Sequence, residues 1–316
     1  MTDLAPVALF AFRRPWTTVQ SLYALSRCPE AKDTELTIYC DAPRRASEEA
    51  DTCLVREIAK SRNWCGRTRV VERTENLGLA RSIIAGVRDL CESRGRVVVL
   101  EDDLLVSRSF LAYMNSALLR YAGDDRVAQI SGHQFPIGLP GGSCGFLPAA
   151  TSWGWGTWQR AWAGFDEQPD VLPLRDCFVR WAFDQQGAYP YSAMLLNQMD
   201  GRADSWAIRW NWAVFRSKKL VLHPSRTLVR NIGFGDTATH TRRRVFATPP
   251  DGWEPDAPAP ALPAGDDAEV NPAWLAAWRI AVAGPAPVRV YRQVRSLLPV
   301  ARGLLGIGPL ASRRHA

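Results

Sequence analysis

Three carboxylates stand in a row at Glu101, Asp102 and Asp103, where an apolar run ends in RVVVLEDDLLVSRSF (96–110). Adjacent acids repel one another, so a chain that keeps three together at the end of a buried strand needs something to neutralise them. Mg²⁺ or Mn²⁺ would do so, because both prefer oxygen ligands and accept phosphate oxygens as co-ligands. The same residues also suit a turn followed by a helix cap, where aspartate is favoured for its local hydrogen bonds. On residue types alone the two readings stand level.

The surrounding elements decide where these acids lie. PVALFAF (6–12) reads as a buried strand, and a helix follows from Pro15, a residue suited to the first helical position. ELTIYCD (35–41) reads as a second strand with a helix over about 47–62, and TRVVER (68–73) as a third with a helix from near Leu77. RVVVL (96–100) is the fourth strand, with a helix over about 108–121, and RVAQIS (126–131) is the fifth. Strands alternating with crossover helices predict an α/β fold with a mostly parallel central sheet and right-handed connections. Ligands of such sheets bind outside the carboxyl ends of the strands, which puts the acid triplet on the rim of a cleft. After residue 140 the pattern changes. Glycine and tryptophan dominate TSWGWGTWQRAWAGFD (151–166), tryptophan returns in DSWAIRWNWAVF (204–215), and HPSRTLVRNIGFGDTATH (223–240) reads as a strand entering a polar glycine loop.

Several phosphate-binding classes are excluded by what the chain lacks. There is no G-x-x-x-x-G-K-[ST] loop, and the turn after the first strand is FRRP rather than glycine-rich, against both dinucleotide-binding and nucleotidyltransferase folds. GFGDTA (233–238) matches the dinucleotide pattern but follows no βαβ unit. A nucleotide-sugar glycosyltransferase of the GT-A type remains, with its metal-binding acid cluster after a strand. The stretches ALFAFRRPWTTVQSL, NLGLARSIIAGV, VVVLEDDLLVSRSFLAYMN, SWGWGTWQRAW and DSWAIRW together resemble bacterial glycosyltransferases related to the N-acetylglucosaminyltransferase I family, in order over about 5–245.

That resemblance implies roles. Asp103, the last acid of E-D-D, would bind Mn²⁺ (or Mg²⁺) directly, Glu101 would reach the metal through water, and Asp102 would lie by the ribose. Arg14 in FRRP would contact the nucleotide base, Asp41 would accept from a uracil ring, and Arg81 would face the nucleotide from its helix start. The plain alternatives are a surface arginine, a turn aspartate and a solvated helix face. For inversion at the anomeric carbon a carboxylate must take the proton of the acceptor hydroxyl. Asp204, just before a tryptophan, matches the family's base, with Asp166 and Glu167 as alternatives. Trp153, Trp155 and Trp158 flank glycines and offer faces for sugar stacking, although core packing is the commoner fate of tryptophan. The loop 231–240 would close over bound donor, with His240 contacting diphosphate or metal or standing as a surface histidine.

The whole chain frames this. Its 316 residues suffice for a full core, and 47% are hydrophobic. The formal net charge is +7, yet all of the excess sits after Glu269, in seven arginines with no acid among them. No nucleic-acid-binding face across the body is therefore expected. Seven cysteines without a C-x-x-C pair read as reduced thiols, and a structural zinc site is not expected. No run approaches the 18 apolar residues of a membrane span, and the N-terminus does not read as a secretory signal, so a cytoplasmic protein is expected. Residues 1–247 read as the catalytic domain, 1–132 holding nucleotide and metal and 133–247 the acceptor. Residues 248–272 read as a linker and 273–316 as a basic, partly helical tail. In that tail Arg292, Arg295 and Arg302 share a helix face beside Val290, Val294, Leu297, Leu298, Leu304 and Leu305, as a peripheral membrane contact would require, although Pro299 and three glycines interrupt one continuous helix. The expected partners are a nucleotide-sugar donor, a UDP-sugar on the resemblance, and a glycan or lipid-linked glycan acceptor in surface polysaccharide synthesis. A non-catalytic carbohydrate- or nucleotide-sugar-binding protein on the same fold is the alternative.

Overall fold

The computed structural model describes residues 4–233, 253–265 and 268–284. Strands β1 (Val7–Ala11), β2 (Glu35–Cys40), β3 (Arg67–Glu72) and β4 (Arg96–Glu101) alternate with helices α1 (Pro15–Ser26), α2 (Glu49–Lys60) and α3 (Gly78–Arg94). There follow β5 (Leu104–Val106), α4 (Phe110–Arg120), β6 (Val127–Ser131), β7 (Cys144–Leu147), β8 (Trp155–Trp158) and α5 (Gln159–Trp162). The chain continues through α6 (Cys177–Phe183), α7 (Tyr191–Met199), α8 (Trp206–Arg216), β9 (Leu220–Pro224), β10 (Val229–Asn231) and α9 (Pro272–Ala283).

Eight strands form one sheet in the order β3-β2-β1-β4-β8-β6-β9-β7, and β10 pairs with β5 in a second, two-stranded ladder. The first four strands are mutually parallel. Strands β1 and β4 are buried apolar segments, VALFA and RVVVLE, as strands covered on both faces must be. Helix α3 presents Ile83, Ile84, Val87, Leu90 and Cys91 to the core and ends at Gly95, whose φ of +76° lets the chain turn directly into β4. Gly86 lets α3 approach closely, since a Cβ there would stand 2.7 Å from the Phe10 ring, which stacks on Tyr39.

The expected fifth strand, β6, does not lie beside β4. Strand β8 is inserted between them, antiparallel to both, so that Val99 of β4 faces Trp155. The WGTW segment is fully buried. Its alternation of glycine with tryptophan hid it from a reading that looks for β-branched runs. Part of the stretch expected to be a linker is packed: the Arg108 amide and the Ser107 hydroxyl donate to the carbonyls of Pro255 and Glu254, both at 2.7 Å, and Ala257 is buried. Helix α9 buries Trp278 among Ile137, Leu147 and Ala149. Among the described residues no helix is long and apolar enough to cross a membrane. The tail arginines from 289 onward lie outside the described residues.

Candidate functional site

Strand β4 delivers Glu101, Asp102 and Asp103 to the carboxyl end of the sheet, beside the end of β1, where Phe10 pairs with Glu101. The turn after β1 answers them. Arg14 donates from Nη1 to Asp103 Oδ2 at 2.8 Å and from Nη2 to Asp102 Oδ1, while the Phe12 amide donates to Asp102 Oδ2 at 2.9 Å. Asp102 is 2% exposed and has both oxygens engaged. Asp103 is 8% exposed, and its Oδ1 is buried without a hydrogen-bond partner. Buried carboxylate oxygens are normally satisfied, so an orphan here marks a place for a donor or a cation.

Charge and burial oppose each other at this point. Burial pushes the Glu101 and Asp102 carboxyls upward, reinforced by Asp103, while the Arg14 guanidinium pulls both down and does not cancel the effect. Burial alone would lower Arg14, but the three acids hold it firmly charged. Across the rim runs the ladder of β5 with β10. Beyond it the Ile232 amide donates to the Asp103 carbonyl at 2.8 Å, and the Gly233 amide to Asn231 Oδ1 at 2.7 Å. A Cβ on Gly233 would fall 2.1 Å from Asp103 Oδ2 and 2.8 Å from Arg14 Nη1. A side chain at 233 would have to push the Asp103 carboxylate or the Arg14 guanidinium aside.

A cleft opens beside the acids, lined by Phe12, Arg13, Arg14, Asp41, Arg44 and Ser82 as well as Glu101 and Asp102. The Arg44 guanidinium stands 5.0 Å from the centre of the Phe12 ring, and Arg13 stands 5.8 Å from it. Buried Glu48 organises both arginines: it accepts from Arg13 Nη1 at 3.0 Å and from the Arg44 amide at 3.0 Å. Arg13 has φ of +26°, a conformation that costs a side-chain-bearing residue about 1–3 kcal/mol and is held by its surroundings. Such strain concentrates at binding sites. Phe12, Arg13, Arg44, Glu48 and Gly233 were not singled out from the sequence. The doubled arginine before a proline was the available signal for one of them.

The other sequence candidates are placed as follows. Asp41 borders the cleft, but its carboxylate accepts from the Leu77 and Gly78 amides, both at 2.9 Å, and so anchors the start of α3. Arg81 is exposed, donates to the Leu77 carbonyl at 3.0 Å and is not among the cleft-lining residues. Asp204 precedes the Ser205 cap of α8 with its side chain 60% exposed, 3.5 Å from Arg209 Nη2. Arg209 also donates to the Glu167 carbonyl at 3.2 Å, and the Glu167 carboxylate pairs with Arg88 at 3.2 Å. Asp166 accepts from the Gln168 amide. His240 lies outside the described residues. Trp155 and Trp158 belong to the core, at 0% and 4% exposed, and Trp153 is half-buried against His133 with ring centres 4.5 Å apart.

The acids fit a divalent cation to a defined extent. Among the described residues no three His, Cys, Asp or Glu side chains converge as a self-sufficient cage. The free Asp103 oxygen and the Glu101 carboxylate are hard oxygen donors of the kind that could hold Mg²⁺ or Mn²⁺ if phosphate oxygens completed the shell.

No family model matches the chain, and no curated protein matches it. Solved structures resemble it at a distance. The mannosyltransferase PcManGT from Pyrobaculum calidifontis, in complex with GDP-Man and Mn²⁺, shares 14% identity over 96% of this chain and 88% of its own, with a TM-score of 0.40. GalNAc-T7 with UDP, GalNAc and Mn²⁺ shares 10% identity over 71% of this chain and 43% of its own, with a TM-score of 0.42. Mannose-1-phosphate geranyltransferase from Thermus thermophilus shares 12% identity over 89% of this chain and 98% of its own, with a TM-score of 0.37. Likenesses of this size decide nothing about activity, which has to be read from the side chains themselves.

Proposed function

We propose that the chain is an inverting, metal-dependent glycosyltransferase of the GT-A type that takes its sugar from a nucleotide donor, a UDP-sugar, and passes it to a glycan or lipid-linked glycan. One observation carries the reading. A buried acid pair with one free carboxylate oxygen follows the central strand β4 beside a cleft lined by three arginines, two of them near an aromatic ring.

Each part of that arrangement has a use. The cleft bordered by Arg13 and Arg44 suits the negative diphosphate, and Phe12 offers a face for a base. Asp103 and Glu101 would hold the cation, which when bound neutralises the departing nucleoside diphosphate. Asp102, held by the Phe12 amide whether or not Arg14 stays, would set the position of its neighbour. Residues 1–132 would hold the donor, and 133–247 would bring the acceptor with Asp204 as its base. The Arg209 contact would keep Asp204 oriented while leaving it open to the acceptor.

Calorimetry with UDP in the presence and absence of Mn²⁺ tests the reading. Wild-type protein is expected to bind UDP in a Mn²⁺-dependent manner, and Asp103→Ala to lose that dependence while its circular dichroism is unchanged. Equal UDP affinity and equal metal dependence in the variant would remove Asp103 from the metal site. Donor binding without turnover toward any acceptor would favour a non-catalytic nucleotide-sugar-binding protein.

A further inference from the structure

We infer that Arg14 is the resident counter-ion of the acid pair, displaced when a divalent cation binds and thereby released to the diphosphate of the donor. The inference rests on the donor-site reading above and concerns how this chain loads that site. Arg14 spans Asp102 and Asp103 with separate nitrogens, so it already supplies the positive charge that a cation held by Asp103 and Glu101 would bring. It leaves Asp103 Oδ1 buried and unpartnered. A planar guanidinium has its donors fixed in a rigid fork, and the two nitrogens engaged here are already turned to Oδ2 and to the neighbouring carboxylate. A small dication can gather several carboxylate oxygens around one centre, and is therefore the better occupant when available.

The surroundings restrict where Arg14 can go. On one side the strap at 231–233 closes over the pair, with the Gly233 Cβ position 2.8 Å from Arg14 Nη1. On the other side is the cleft that Arg14 itself lines with Arg13 and Arg44. Its side chain is 19% exposed. Once a dication neutralises the acids, Arg14 is a buried charge without a partner, which is strongly unfavourable. The anion that would restore one is a phosphate in the cleft. Metal and diphosphate then favour each other's binding through this one side chain, and the favour must be mutual because linkage is reciprocal.

The test measures Mn²⁺ affinity in the absence of nucleotide, by the electron paramagnetic resonance signal of free Mn²⁺, for wild type, Arg14→Gln and Arg14→Lys. Removing a competing cation should tighten Mn²⁺ binding in Arg14→Gln by about 5–100-fold, with Arg14→Lys in between. UDP affinity at saturating Mn²⁺ should fall in Arg14→Gln. A side chain that merely props the acids in place would give the opposite sign, because its loss would leave the carboxylates misplaced. Unchanged or weaker Mn²⁺ binding in Arg14→Gln overturns the exchange while leaving the donor site standing. Absence of Mn²⁺ binding in wild type and both variants, with UDP or without, overturns the donor-site reading itself. Should Arg14→Gln be unfolded alone, recovery of its circular dichroism on adding Mn²⁺ supports the exchange, and failure to recover overturns it.

Discussion

Neighbouring strands of this sheet meet the solvent rim in opposite ways. Strand β4 ends in three acids of which one buried oxygen is unpartnered, and a strained turn brings arginine to it. Strand β8, paired with it, begins in Trp155, which stacks on Trp206 with ring centres 5.0 Å apart, while Trp162 stacks on Phe165 at 4.5 Å. Around those rings Trp210 Nε1 donates to Gln129 and Trp158 Nε1 to the Leu118 carbonyl, while Trp155 Nε1 is an uncharged donor buried without a partner. Buried charge with an unanswered oxygen marks a place for a ligand. Buried aromatic surface with its neighbours in contact is a core. Asp204, the proposed base, stands at the exposed edge of the tryptophan side, two residues before Trp206.

Asp204→Asn tests that edge and should have the largest effect on the reaction. Loss of a general base lowers transfer by roughly 10²–10⁴-fold, while Mn²⁺-dependent UDP binding, which belongs to the other strand, stays as in wild type. Transfer near the wild-type rate would take the base away from Asp204 and make Glu167 and Asp166 the next variants to measure. Trp155→Ala tests the core itself. It should cost about 3–5 kcal/mol of stability in urea unfolding, with UDP affinity of the folded protein unchanged. A clear loss of affinity would put that ring in contact with ligand and break the contrast between the strands.

The histidines on the aromatic side provide the smallest effect. Burial holds His133 down to about 3, helped by His223, and holds His223 down to about 4 against the two carbonyls near its ring. Both rings are therefore neutral in the folded chain and titrate near 6.5 when unfolded. As pH falls below about 6.5 the unfolded chain takes up protons that the folded chain refuses, so stability falls, by roughly 2–3 kcal/mol per ring at pH 4.5. Above about 6.5 these groups contribute no slope. Urea unfolding of wild type and His223→Gln from pH 7 to 4.5 reads this out, and equal slopes in the two proteins would remove His223 from the acid sensitivity.

The first half of the fold was legible because its signals are local. Pro15 opens α1, α3 starts within a residue of Leu77, and the apolar runs of β1, β2 and β4 fall within a residue or two of their expected bounds. Strand β8 was not legible, because its place between β4 and β6 depends on pairing across distant sequence, and its four residues, one of them glycine, make too short a run to stand out. The acid triplet stood out by composition. Its partners did not: Glu48 reaches Arg13 through folding alone, and the close approach of residue 233 to Asp103 arises only when the strap is laid over it. Asp41 shows the reverse, a strand-end acid whose carboxylate is taken up by the backbone of α3.

The short ladder of β5 with β10 also bears on the order of assembly. It joins Leu104 to Asn231, with most of the second half of the sheet lying between them in the chain. Closing so long a loop from a disordered chain loses entropy that one three-residue ladder can hardly offset, whereas closure after β6, β8 and β9 have docked involves only a short remaining segment. The acids are set in place by strands made early, and the strap that covers them belongs to the last part of the sheet to be synthesised. A fragment ending before Val229 would hold the three carboxylates on their strand and still lack the wall that turns them into a pocket.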